Sequence, residues 1–169
     1  MMHLTFRWIT GFILAGILLI LVGGECLDMA PAEVWYEPLQ QVIRPQGSRV
    51  IWRSEGWAES SYGRYGINAH EDVTRLKGQP ILIWGDSQVE GYQVQDDQKM
   101  AQVLTELLES QGYQYYALGL GRSAHTIADH YYDLPRYEDL LGPISHHVMV
   151  VNNLDRYLPD TRQVRARFL

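Results

Sequence analysis

A single cysteine, Cys26, excludes an internal disulfide framework and any metal site built from several thiolates. Basic residues are in the minority, with 14 Lys and Arg against 20 Asp and Glu and a formal net charge of −6. A nucleic-acid partner, which needs a basic face, is therefore not expected. No internal repeat or low-complexity tract is present. Charge is missing altogether between Arg7 and Glu25, where Phe12 to Val22 is almost wholly apolar.

That uncharged stretch is near the lower limit of roughly 17–25 residues for a spanning helix. A helix apolar on every face at the start of a chain does not read as a core helix. Arg7 in front and Glu25 and Asp28 behind predict a cytoplasmic N-terminus and an exported remainder. The expectation is a retained single-pass anchor over 1–26 with the domain on the extracytoplasmic side of the cell membrane. The competing reading is a signal peptide, cleaved near Gly23-Gly24 or Ala30-Pro31-Ala32. Cys26 suggests a lipoprotein, but Glu25 before it is a poor fit to that processing.

Residues 27–48, with Pro31, Pro38 and Pro45, read as a stalk or lead-in, and 49–169 as one α/β domain of modest size. Arg49 to Arg53 is a short strand. Trp57, Tyr62 and Tyr65 either line a carbohydrate groove by stacking or cover the edge of a core, and the core reading is favoured. Ile81 to Trp84 is the first confident strand, introduced by Gly78-Gln79-Pro80. Asp96 and Asp97 are cap residues for a helix in which Met100, Val103, Leu104, Leu107 and Leu108 recur at the spacing of one buried face. Gly112 ends it. Tyr113 to Leu118 is a second strand running into a Gly119-Leu120-Gly121 turn. Ser123 caps a second helix, 124–141, which Pro135 should kink or split. His147 to Val151 is a third strand, ending at Asn152-Asn153. This order predicts a parallel sheet with helices on its faces, and such sheets place ligands beyond the carboxyl ends of their strands.

Those three ends carry Gly85-Asp86-Ser87, Gly119-Leu120-Gly121 and Asn152-Asn153. Ser87 offers a nucleophilic oxygen, a Gly turn a backbone N–H that a substrate can approach closely, and Asn an amide donor. Donors aimed at a developing oxyanion typically contribute about 3 kcal/mol each when water is excluded. A turn built for phosphate is disfavoured, because it lacks the Gly-rich loop and Asp86 would set negative charge against the ligand.

In these residues the chain resembles the SGNH (GDSL-type) hydrolase superfamily. The first block of that family, Gly-Asp-Ser with a Gly four residues after the Ser, matches Gly85, Asp86, Ser87 and Gly91. The second block maps to Gly121 or Gly119, with Gly121 preferred and Arg122 close by. The third maps to Asn152 or Asn153, without the family's preceding Gly. The resemblance spans roughly residues 49–160. It implies a three-layer, flavodoxin-like parallel sheet and an acyl-serine on Ser87. Asp86 would support the turn, and Gly121 or Gly119 with Asn152 or Asn153 would form the oxyanion hole. No cofactor or metal is implied. The implied partners are an acyl ester and, from extracytoplasmic relatives, acetylated cell-surface polysaccharide.

The family's Asp-x-x-His base is missing from the whole sequence. His70, His125, His130, His146 and His147 remain, and of these His125 lies just beyond the second block. A serine without a base is a weak nucleophile, so two expectations stand. The chain is an incomplete version of a longer esterase or O-acyltransferase, which the helix-like tail 162–169 favours, or it is a non-catalytic, membrane-anchored binding or assembly module.

Overall fold

The computed structural model describes residues 2–26, 33–54, 56–69, 73 and 76–151, with the side chains of the first helix described from 7 to 22. His70, Asn152, Asn153 and the basic tail 162–169 lie outside the described residues.

Helix α1 covers Met2–Cys26, and its described side chains from 7 to 22 are all exposed. Among the described residues no helix is long and apolar enough to cross a membrane. Strands β1 (Val34–Tyr36) and β2 (Gln41–Ile43) form an antiparallel hairpin. Gln40 turns it in the left-handed region at φ 48°. This places Leu39 and Ile43, from the lead-in, inside the core. A second antiparallel pair joins β3 (Arg49–Trp52) to β4 (Ala58–Ser61).

The centre of the domain is a three-stranded parallel sheet in the order β6-β5-β7, formed by β5 (Gln79–Gly85), β6 (Tyr115–Gly121) and β7 (His146–Met149). Helix α2 (Ser87–Glu90) follows β5, α3 (Met100–Ser110) leads into β6, and α4 (Ile127–Leu141) separates β6 from β7. Two side-chain clusters set the layers. Leu82, Trp84, Leu118 and Leu120 face Tyr137 and Leu134 of α4. Ile81, Ile83 and Ala117 face Ala101, Leu104 and Leu108 of α3. The alternation along β5 and β6 thus feeds both faces of the sheet, as a strand covered on each side requires. The architecture is mixed α/β.

Several local expectations shift. The second strand does not stop at Leu118. It continues through Gly119-Leu120-Gly121, paired residue by residue with Ile83-Trp84-Gly85. Helix α4 is not capped by Ser123. Thr126 accepts from the Asp129 amide while the Asp129 carboxylate accepts from the Thr126 amide, a reciprocal capping box. Pro135 neither splits nor ends that helix; it is exposed, so the hydrogen bond it deletes faces solvent.

Helix α3 has no side-chain cap from Asp96 or Asp97. Asp96 instead accepts from the Ser61 amide at 2.9 Å and its hydroxyl, tying β4 to the helix entry. The buried face of α3 is also rotated from the apolar pattern. Ala101 and Thr105 are buried, whereas Met100, Val103 and Leu107 are exposed. Small residues let the helix approach β6, and the Thr105 hydroxyl accepts the Ala117 amide at 2.8 Å while donating to the Ala101 carbonyl.

Candidate functional site

The end of β5 is a run of geometric necessities. Asp86 leaves the strand in an extended conformation, and its Oδ1 accepts the Gln88 amide at 3.0 Å, capping α2. Ser87 is the first residue of that helix and is exposed. Gly91 ends the helix in the left-handed region at φ 61°, its amide bonded to the Ser87 carbonyl at 2.9 Å. The spacing of Ser87 and Gly91 is therefore one tight helical turn closed by a residue suited to positive φ.

The two strand-end glycines hold α2 against the sheet. A Cβ at Gly85 would collide with the Val89 side chain, and one at Gly121 would overlap the Glu90 amide nitrogen and the Val89 carbonyl carbon. Gly119 differs, since a Cβ there would meet Ala101 at 3.6 Å and the Val89 carbonyl at 4.0 Å, both ordinary contacts. The Arg122 amide donates to the Gly85 carbonyl at 3.0 Å. By the alternation of strand amides, the Gly121 N–H points to the side of β6 away from β5.

Beside these elements lies a cavity of about 590 Å³. Arg44, Arg122 and Arg136 line it together with Glu90, Tyr92 and His125. Gly121 also lines it, whereas Ser87 and Asp86 do not. Glu90 is the hub between the turn and this cavity. Its carboxylate accepts from the Tyr92 hydroxyl at 2.6 Å and from the Ser123 amide and hydroxyl at 2.9 and 2.7 Å. Its backbone carbonyl accepts from Asn68 Nδ2 at 3.0 Å and Lys99 Nζ at 3.1 Å. Lys99 is only 3% exposed and also donates to Ser60 at 2.7 Å. Burial pushes its pKa down, against the pull of Asp96. Burial raises the Tyr62 and Tyr92 phenols above their ordinary range, so both donate as neutral groups. Arg44 completes this wall, donating to the Tyr92 hydroxyl at 3.0 Å and lying over the Tyr62 ring.

The four histidines with described side chains divide between two places. His146 contacts the Ser145 hydroxyl at 2.7 Å on the exposed β7. His147 accepts from Trp84 Nε1 at 3.1 Å through Nδ1, and its Nε2 meets Glu138 at 3.2 Å. His125 and His130 lie together, ring centroids 5.5 Å apart, with His130 also against Trp84 at 5.5 Å. Burial, and after it the neighbouring His125, lowers the His130 pKa to about 4, against the opposing effect of the Gly85 backbone. Asp133 lies one turn along α4 from His130, pushed up by burial despite Arg122 and Arg136. His125, His130 and Asp133 each offer a ligand atom within 4.8 Å of the others.

The structure thus brings Asp86, Ser87 and Gly91 to one turn of helix with Gly121 packed against it, and sets His130 against Trp84 near the end of the same strand. Asn152 and Asn153 lie outside the described residues. Of the aromatics, Tyr62 and Tyr65 are core residues, while Trp57 is 61% exposed and stacks under Arg53. Sequence reasoning missed Glu90, Asn68, Arg44 and Lys99, which meet only in three dimensions. Only Glu90 carried a signal, as a charged residue inside the first block. Comparison of the chain with protein-family models, curated proteins and solved structures finds no match.

The arrangement presents a solvent-facing hydroxyl at a strand–helix turn. The cavity beside it, which Ser87 does not line, carries guanidinium groups that suit an oxygen-rich or anionic ligand.

Proposed function

We propose that this chain is an SGNH-type serine ester hydrolase or O-acyltransferase, held at the membrane through its uncharged N-terminal stretch with its domain outside the cytoplasm. The observation that carries the reading is the exposed position of Ser87 at the head of α2, directly beyond the carboxyl end of β5. Gly121, whose amide is the preferred oxyanion donor, lies against the backbone of the same helix. The Ser87 oxygen attacks an ester carbonyl, and an acyl–oxygen bond forms as the bond to the departing alcohol breaks. The proton from Ser87 ends on that alcohol. Water or an acceptor hydroxyl then takes the acyl group and restores the serine. Acetylated polysaccharide is the proposed substrate class, by analogy with the family it resembles.

One observation favours the second reading, a membrane-anchored binding module. The cavity with the three arginines is not lined by Ser87, so its ligand-binding residues stand apart from the nucleophile. Hydrolysis of a short acyl ester by the purified full chain separates the two. The enzyme reading predicts turnover that falls at least about 100-fold in Ser87→Ala, as loss of a nucleophile should produce. Equal rates for both proteins would leave the binding module.

A further inference from the structure

We propose that His125, His130 and Asp133 form a binding site for a single zinc-class divalent cation, with its open coordination position on the arginine-lined cavity. The site stands independently of any role for Ser87.

The three ligands come from one continuous piece of chain. His130 and Asp133 are three residues apart on α4, so both project from one side of that helix. His125 sits in the turn just ahead, its amide bonded to the Arg122 carbonyl at 3.1 Å. The capping box of Thr126 and Asp129 fixes the first turn of α4 between them. One ligand atom from each of the three residues lies within 4.8 Å of the others. A tetrahedral zinc site draws its ligand atoms to roughly 3.4 Å apart, given metal–nitrogen and metal–oxygen bonds of about 2.1 Å. His125 is half-buried and lies ahead of the helix, so its own share in closing that gap needs only a local adjustment.

His130 is the independent indication that a ligand belongs here. It is 2% exposed, and its Nε2 atom is buried with no hydrogen-bond partner. A buried nitrogen left without a partner is costly, and an ion is one of the few groups that accounts for it. Its ring lies close to the backbone of Gly85, which favours the protonated imidazole. With Nε2 unengaged, the nitrogen that serves that backbone is Nδ1, and Nε2 keeps a lone pair for a ligand. Metal-binding imidazoles are held this way, the second nitrogen donating to a carbonyl or carboxylate. Asp133 is also buried, and Arg136 Nη1 meets its Oδ1 at 3.3 Å. A carboxylate has a second oxygen, so this pairing orients Asp133 without exhausting it.

The donor set selects the ion. Two imidazoles and one carboxylate suit zinc and its borderline neighbours, while calcium and magnesium need mostly oxygen ligands. Three protein ligands leave one position open. His125 and Asp133 both line the cavity, and so do Arg122 and Arg136. Their positive charge beside the ion favours a negatively charged fourth ligand, such as hydroxide or an anionic oxygen of a bound molecule.

The test is Co(II) titration of the full chain in detergent after chelator treatment, followed by Zn(II) competition. The site predicts one Co(II) per chain with the visible absorption of tetrahedral cobalt, displaced by Zn(II). His125→Ala and the isosteric Asp133→Asn should each weaken binding at least about 10-fold, with far-UV circular dichroism unchanged. A control lacking His146 and His147 should bind as the wild type does. Absence of a tetrahedral cobalt spectrum, or binding that survives either ligand substitution unchanged, overturns the three-ligand site.

Discussion

Gly121 lies against Glu90 so closely that no side chain fits between them, because a Cβ on Gly121 would overlap the Glu90 amide nitrogen. This contact joins the end of β6 to the helix that carries Ser87. It follows that the position of the serine turn depends on a residue 34 positions away in sequence, from Ser87 to Gly121.

Gly121→Ala should therefore destabilise the domain by about 1–3 kcal/mol, the usual cost of overpacking where the obstacle is backbone. Gly119→Ala should cost less than about 1 kcal/mol, since its added methyl meets Ala101 at an ordinary contact distance. Urea denaturation of the two variants measures the difference. Equal losses would show that the close approach to α2 is not what Gly121 provides.

Glu90→Ala should cost about 2–4 kcal/mol, because it strands the Ser123 amide and the Tyr92 hydroxyl that now donate to the carboxylate. The Ser123→Ala substitution removes one hydroxyl partner. In the double variant the losses should fall short of their sum, as expected for residues sharing one network. Additive losses in a thermodynamic cycle would argue against the shared hub.

Alkaline pH offers a check on the core. Tyr137 is fully buried, donates to the Tyr65 carbonyl at 3.1 Å, and has its pKa pushed up to about 12 by burial. Its unfolded value is near 10, so the folded chain holds this proton at higher pH than the unfolded chain does. The stability linked to it is complete below pH 10 and is lost as pH rises from there through 12. Tyr62, Tyr92 and Tyr116 are shifted in the same direction. Phenolate absorbance from these buried tyrosines should thus appear together with unfolding, and Tyr137→Phe should lose less stability than wild type over this range. A Tyr137→Phe profile parallel to wild type would contradict the assignment.

Much of the sheet was legible because its signals are local. Ile81 to Trp84 is a short apolar run bounded by turn formers, and it is the core of β5. Pairing was less legible. Gly119-Leu120-Gly121 looks like a turn in sequence, yet it completes β6 because Gly85 and Gly121 must lie side by side beneath α2. Periodicity alone placed Val103 and Leu107 inside α3, where the fold buries Ala101 and Thr105 instead. A helix laid close on a strand rewards small side chains, and that closeness is invisible in a hydrophobic pattern. The Glu90, Asn68 and Lys99 network was not readable at all, since its members come from three separate segments.

The central claim is that Ser87 is a nucleophile presented by this turn. Treating the full chain with a fluorophosphonate and mapping the adduct by mass spectrometry tests it most directly. The account predicts one covalent adduct, located on Ser87, and none in Ser87→Ala, whose stability should stay within about 0.5 kcal/mol of wild type because the side chain is exposed. A chain that folds but takes no label, or takes it on another residue, would contradict it.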